Sequence, residues 1–234
     1  MKILKERCIG CGRCLVFCPM QAIKIQEDKA IIDTKKCIEC GVCHRASKCP
    51  VDAFYQDELK WPRSIRKTLS DPLTEFKATG VAGRGTEEMK TNDVTERFKW
   101  GEVGFAIDVG RPNTGTTLIE IKKITEVLAQ LGVDFEKNNP ITFLMKDTKI
   151  GTIKEDVRNE LVMSGIIEFK VPTKKMLQVL DIIKQVSKKI NTVFTIGIIT
   201  RVNDNWNIPI IDELIEAGWK VHPNGKTNLG FGRR

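Results

Sequence analysis

The sequence predicts an α+β chain in two unequal parts: a small pseudo-twofold cysteine-bearing unit, then a unit of order βαββαβ. Three observations predict it. All eight cysteines lie between Cys8 and Cys49, and the 185 residues that follow carry none. The cysteines form two copies of one motif, three recurring at an offset of 29 residues and the fourth at 31. Beyond residue 100 the apolar residues switch between strand and helix periods. The expected boundaries are 1–56 for the cysteine unit, 57–100 for a connector and 101–234 for the βαββαβ unit with a short C-terminal extension.

At 234 residues, 41% apolar and 29% charged, the chain is long enough to bury a core and has an ordinary soluble composition. It has no apolar run near the roughly 18 residues of a membrane span. Its first residues, MKILKERCIGCG, lack the apolar stretch and cleavage site of a secretory signal, so a cytoplasmic location is expected. The 38 Lys and Arg against 30 Asp and Glu leave a net charge of +8. The excess is dispersed: residues 1–56 hold 10 basic and 6 acidic side chains, 57–100 hold 9 and 8, and 101–234 hold 19 and 16. With no tract of like charge and no concentrated basic face, nucleic acid is not an expected partner. A homo-oligomer is left open.

The first unit reads Cys8-Ile-Gly-Cys11-Gly-Arg-Cys14-Leu-Val-Phe-Cys18-Pro19, and the second Cys37-Ile-Glu-Cys40-Gly-Val-Cys43-His-Arg-Ala-Ser-Lys-Cys49-Pro50. Two copies of so small a unit must lean on each other for a core. Two residues between cysteines bend the chain around a metal centre. Gly10, Gly12 and Gly41 permit close backbone approach and positive φ. Three thiolates then come from one tight loop and the fourth from farther away. Two four-cysteine zinc sites also use Cys-x2-Cys pairs, but they leave the third closely spaced cysteine and the Cys-Pro unexplained.

This run resembles that of bacterial-type two-cluster ferredoxins over residues 3–56. The resemblance implies two 4Fe-4S clusters. It also implies a crossed ligand set: Cys8, Cys11, Cys14 and Cys49 for cluster one, and Cys37, Cys40, Cys43 and Cys18 for cluster two. A 3Fe-4S cluster is not expected, since neither run has lost a cysteine. One departure stands out. The second run has five residues, His44 to Lys48, before its last cysteine where the first has three, and they are expected to loop out near cluster one. Two oxidised clusters with their thiolates carry about −2 each, which offsets the basic excess of residues 1–56. Lys35, Lys36 and Lys48 remain as surface charge for a partner with an acidic patch.

In the connector, Ser70-Asp71-Pro72 predicts a helix start with Asp71 as N-cap and Pro72 at the first position. Gly80-Val-Ala-Gly83-Arg84-Gly85 reads either as a mobile linker or as a turn whose amides and Arg84 hold an anion; the linker is the plainer reading. Residues 87–97 predict a short capped helix. Trp61 and Trp100 bracket the connector and are expected to pack it against a neighbouring surface.

Strand 102–109 opens the third part and leads into a turn, Gly110-Arg111-Pro-Asn-Thr-Gly115. Backbone amides and Arg111 make this turn a second candidate anion site, against the plainer reading of a capped βα turn. Thr117-x-x-Glu120 reads as a capping box, and Leu118, Ile121, Ile124, Leu128 and Leu131 give the following helix its apolar stripe, stopped by Gly132. Residues 133–136 and 141–145 read as extended, and 153–160 as a short helix. A strand over 166–171, a helix opened by Pro172-Thr173 and closed at Asn191, and a strand over 192–200 follow. A final helix spans 210–217, with a last short strand at 219–222. The order resembles the split βαβ plait of ACT and similar domains, a fold that does not choose a function.

Three functions compete. The first is a low-potential carrier passing single electrons through its clusters to or from a partner oxidoreductase or multi-subunit redox complex, with the C-terminal part as docking module. The second is a redox or metabolite sensor using the plait. The third is an accessory factor for sulfur insertion or metallocofactor assembly. Eight cysteines for two clusters leave no iron open, so no catalytic residue is assigned, and His44 and His222 receive no role. The composition, rich in Ile and Lys and poor in Tyr, is compatible with an anaerobic archaeal or bacterial source.

Overall fold

Each copy of the cysteine motif folds the same way: a short strand, the cysteine loop, one helical turn, and a second strand. In the first copy these are Lys2–Ile3, the 3-10 turn Leu15–Phe17 and Ile23–Gln26; in the second, Lys29–Ile32, the helix Val42–Ala46 and Phe54–Tyr55. The strands pair crosswise. Lys2–Ile3 runs antiparallel to Phe54–Tyr55, and Ile23–Gln26 to Lys29–Ile32, so the first strand of each copy meets the last strand of the other. Neither copy has enough apolar side chains to bury alone. Ile23, Ala30, Ala53 and Phe54 form one shared core with Cys8, Cys14 and Cys43. This computed structural model describes residues 1–77, 80–86, 92–111, 114–205 and 207–222.

The larger core belongs to a four-stranded antiparallel sheet. Its elements in chain order are β1 (Glu102–Val109), α1 (Leu118–Gln130), β2 (Asp134–Phe135), β3 (Gly165–Pro172), α2 (Met176–Val186) and β4 (Phe194–Ile199), and the strands lie in the order β4-β1-β3-β2. β1 and β3 pair along their whole length, from Glu102 opposite Pro172 to Val109 opposite Gly165. The period of two puts Val103, Phe105, Ile107 and Val109 on one face, all fully buried, beneath the Leu118, Ile121, Ile124 and Leu128 stripe of α1 and the Met176, Val179, Leu180 and Ile183 stripe of α2. Phe105 and its cross-strand partner Phe169 stack with ring centroids 5.1 Å apart.

The connector covers the opposite face. Gly104 has no Cβ because one would stand 2.4 Å from the ring of Phe98, which is buried. The backbone N–H of Ile166 donates to the Arg84 carbonyl at 3.1 Å, and that of Thr86 to the Glu168 carboxylate at 2.7 Å. The expected mobile linker is thus fastened to the sheet over Arg84–Thr86, because β3 offers it an unused N–H and a buried acceptor. Trp61 and Trp100 stay largely exposed: the Trp61 indole N–H donates to Asp156, and Trp100 lies under the Arg201 guanidinium at 5.2 Å.

Several local expectations need correction. Asp71 caps a turn, not a helix: its carboxylate accepts from Leu73 N and Thr74 Oγ1, and the helix of this region, Ser64–Thr68, precedes it. Of residues 141–145, expected to be extended, only Met145 is, opening the strand Met145–Asp147. Pro140–Leu144 is helical, because Asn139 accepts from Ile141 N and Thr142 N and Pro140 stands at the first turn. Residues 153–160 form no helix; strands Thr152–Ile153 and Leu161–Val162 flank a turn. Thr117 is the N-cap of α1 but makes no side-chain cap bond, and Glu120 instead binds Lys123 and Asn191 N. Residues 219–222 form no strand, and Trp219 packs on the core. Of the helix expected over 87–97, Asn92–Thr95 is helical, while 87–91 lie outside the described residues.

Candidate metal centres

The cysteine loops turn back on themselves through left-handed residues. Gly10, Gly12 and Gly41 have φ of 64°, 74° and 67°. Gly10 has a second reason to be glycine: a Cβ there would stand 2.3 Å from the Asp28 carbonyl oxygen. Its counterpart in the second copy is Glu39, which takes the same left-handed conformation at φ 59° despite its side chain. The Glu39 carboxylate is buried and held by the Met1 ammonium and by the Arg63 guanidinium, whose Nε is 3.0 Å away. Burial pushes this carboxyl up, but the two cations outweigh it and hold it below the usual carboxylate range.

The eight thiols stand around two solvent-open cavities. Cys8, Cys11, Cys14 and Cys49 line one, with Ala30, Ala53 and Phe54. Cys18, Cys37, Cys40 and Cys43 line the other, with Met20, Ala22 and Ile23. The crosswise strand pairing carries Cys18 and Cys49, each at the end of its own loop, to the opposite side. Among the described residues no three ligand-type side chains converge on a point fit for a single ion; the thiols of each set face a cavity.

The walls suit an anionic sulfur-rich group. Backbone N–H groups donate to the sulfurs: Ala30 and Gly10 to Cys8 at 3.3 and 3.5 Å, Ala22 to Cys18 at 3.1 Å, and Ala53 to Cys49 at 3.4 Å. The last two are equivalent, each coming four residues after the cysteine. Burial pushes the Cys14, Cys37 and Cys40 thiols up, and burial with the neighbouring Cys40 and Cys37 sulfurs pushes Cys43 up to about 12. Such thiols stay protonated at neutral pH unless a metal displaces the proton, so loading is coupled to proton release.

The two cavities have different neighbours. Around the Cys37 set, Arg66 donates from Nη1 to the Cys37 and Lys35 carbonyls at 2.9 and 3.0 Å, and its Nε engages the Glu160 carboxylate. Arg45 donates to the Cys40 carbonyl at 2.7 Å and pairs with Asp71 at 3.1 Å. Around the Cys8 set, Lys29 donates to the Cys8 carbonyl at 2.5 Å, and Cys11 is the one exposed cysteine. Ile9, at the mouth of that cavity, is 59% exposed. His44 lies against Phe54, its ring 5.7 Å away, and does not line either cavity.

The two candidate anion turns meet each other. Arg84, between Gly83 and Gly85, places Nη1 3.2 Å from both oxygens of Asp108 and also binds Ser164. Arg111 approaches the same carboxylate at 3.9 Å. Gly115 N donates to the Gly110 carbonyl at 2.9 Å, and a Cβ on Gly115 would touch Met20, which lines the Cys37 cavity. Residues 112–113 lie outside the described residues. The sequence reading missed Glu39, Arg63 and Arg66; only the non-glycine at the position matching Gly10 signalled any of them.

The pattern of a 4Fe-4S dicluster domain matches residues 7–53. A protein named Ferredoxin 7Fe from Hydrogenibacillus schlegelii is 36% identical over 70 residues, covering 28% of this chain and 87% of that protein. Pyruvate synthase subunit PorD from Methanothermobacter marburgensis is 38% identical over 56 residues, 24% of this chain and 63% of that one. A protein from Methanosarcina acetivorans, named as a component of an ion-translocating oxidoreductase complex, is 46% identical over 47 residues, 20% of this chain and 17% of that one.

Proposed function

Since residues 7–53 make this chain a member of the 4Fe-4S dicluster ferredoxin family, we propose that it carries single low-potential electrons between partner redox proteins. It bears two 4Fe-4S clusters, each of which accepts and returns one electron when bound. In our reading Cys8, Cys11, Cys14 and Cys49 hold cluster one, and Cys37, Cys40, Cys43 and Cys18 hold cluster two. The observation that carries this reading is the grouping of the thiols: each cavity takes three from one copy of the motif and the fourth from the other. The apolar walls exclude water, the amides pointing at Cys8, Cys18 and Cys49 sulfurs stabilise negative charge, and no proton need move.

Cluster one is the exchange face, because Cys11 is exposed there and Ile9 offers apolar contact. The domain division at 56 and 100 and the plait reading of the third part belong to the same proposal. The strand order supports the plait: β1-α1-β2 and β3-α2-β4 are parallel pairs, each split by a strand of the other. That part serves as the docking module for a partner oxidoreductase or redox complex. Relatives named as parts of a pyruvate synthase and of an ion-translocating oxidoreductase complex support such a partner. Eight free thiols suit a reducing cytoplasm and an anaerobic host.

The test is anaerobic purification of the tagged protein from its host, with metal analysis and mass spectrometry of what accompanies it. The expected result is eight irons per chain, two one-electron reductions and a co-purifying oxidoreductase. Zinc in place of iron, or a small molecule held by the third part with no redox partner, would sink the carrier reading.

A further inference from the structure

Ser47 sits in the five-residue spacer, two residues longer than its counterpart, that sets the second copy of the motif apart from the first. Its backbone N–H donates to the Cys43 carbonyl at 3.2 Å, closing the short helix Val42–Ala46 and fixing its position. The residue is buried, and among the described residues its Oγ is the one buried side-chain polar atom without a hydrogen-bond partner. An unpaired buried hydroxyl is costly, and each such group in a folded chain calls for an explanation.

The surroundings supply one. Ser47 lines the cavity of Cys8, Cys11, Cys14 and Cys49. The other side chains lining it are apolar, cysteine, or Arg13, which has only donors to offer. The side-chain acceptors lining it are therefore cysteine sulfurs, and none of them is within hydrogen-bond reach of the Ser47 hydroxyl. The cavity of Cys18, Cys37, Cys40 and Cys43 is lined by no hydroxyl side chain at all.

We propose that Ser47 is a positioning residue that tunes cluster one: its hydroxyl donates a hydrogen bond to an inorganic sulfide of that cluster, raises its reduction potential and so separates the two clusters in potential. The inference rests on the two-cluster reading above. One electron enters cluster one from a reduced partner protein. The Ser47 proton stays on its oxygen, and no covalent bond forms or breaks. The reduced cluster carries one more negative charge than the oxidised one, so a fixed donor favours the reduced form. A hydrogen bond to a charged acceptor shifts such an equilibrium by about tenfold, which for a one-electron couple is about 59 mV.

Ser47→Ala and Ser47→Thr, loaded without oxygen and checked for eight irons per chain, are titrated with a potentiometric EPR readout. The expected result is that Ser47→Ala lowers one midpoint by about 59 mV, a tenfold loss, and leaves the other in place, while Ser47→Thr, which keeps the hydroxyl, retains both. The midpoint that moves is the one that disappears in Cys49→Ala. The proposal is overturned if neither midpoint moves in Ser47→Ala, if both move together, or if the Thr variant shifts as the Ala variant does. If Ser47→Ala does not hold its iron, Ser47→Thr against Ser47→Val, alike in volume, carries the same comparison. Fewer than eight irons in the unaltered protein contradicts the two-cluster reading instead, so the two failures are distinguishable.

Discussion

The two cysteine cavities come from one repeated motif, yet their second rings differ. The carbonyl of the leading cysteine is held by Lys29 at Cys8 and by Arg66 at Cys37, at equivalent positions of the repeat. Lys29 belongs to the ferredoxin unit itself. Arg66 lies outside the motif and reaches on to Glu160. Arg45 makes a similar link from the Cys40 carbonyl to Asp71. The Cys37 set is thereby tied to the rest of the chain, while the Cys8 set keeps one exposed thiol and one exposed isoleucine toward solvent. The cysteine spacing is nearly the same in the two copies; what differs is what surrounds each cavity, Lys29 and Ile9 at one and Arg45 and Arg66 at the other.

The largest effects come from breaking the crossing. Cys18→Ala is expected to remove the cluster of Cys37, Cys40 and Cys43, and Cys49→Ala that of Cys8, Cys11 and Cys14, each halving the iron content. Iron analysis with EPR of the remaining cluster reads this. Loss of the cluster belonging to the variant's own copy would reverse our assignment.

Next comes the tie at Arg66. Its side chain is 10% exposed and that of Glu160 15%, so Arg66→Ala strands a largely buried carboxylate and leaves the Cys37 carbonyl without its donor. A fully buried broken pair costs more, and the residual exposure trims the expected loss to about 2–3 kcal/mol in denaturant unfolding. Lys29→Ala, the matching change at the other cavity, removes one carbonyl donor and is expected to cost about 1 kcal/mol. Equal losses in the two variants would erase the asymmetry.

The smallest effects are in pH. Glu39, beside the cysteines, and Glu168, in the sheet, are both buried glutamates with opposite partners. Glu39 meets cations and is held below its usual range, so it contributes stability above the unfolded carboxyl value of about 4.3 that is lost as pH falls through its folded value. Glu168 meets neutral donors, Asn139 Nδ2 at 2.6 Å, Thr86 N at 2.7 Å and the Thr86 side chain, and burial pushes it up. The folded state then holds its proton more tightly than the unfolded one, so stability falls as pH rises from the unfolded value through the folded one. The two N–H donors reach the same oxygen, which glutamine also supplies. Glu168→Gln is expected to be more stable than the unaltered protein at neutral pH and no more stable in acid. Melting curves from pH 3 to 8 check both signs.

What the sequence makes legible follows from locality. The cysteine spacing, the alternation in β1 and the stripes of α1 and α2 are short-range patterns, and each predicts its element. Pro140 behind Asn139 is also local, but it reads as a break in a strand when it is a first helical residue behind its N-cap. The Arg84–Thr86 stretch reads as loose because its fastening is remote: Ile166 and Glu168 lie some eighty residues away. The same distance hides Arg66 with Glu160 and Arg63 with Glu39. Ser47 is visible within the longer spacer, but its unpaired hydroxyl emerges only once the chain is folded.

The central claim is that each cluster is built from both copies of the motif. Iron-edge anomalous diffraction from crystals grown without oxygen tests it most directly. The account predicts two four-iron sites, one bonded to Cys8, Cys11, Cys14 and Cys49 and the other to Cys37, Cys40, Cys43 and Cys18. Clusters held wholly within their own copies, or single metal ions in the cavities, would contradict it.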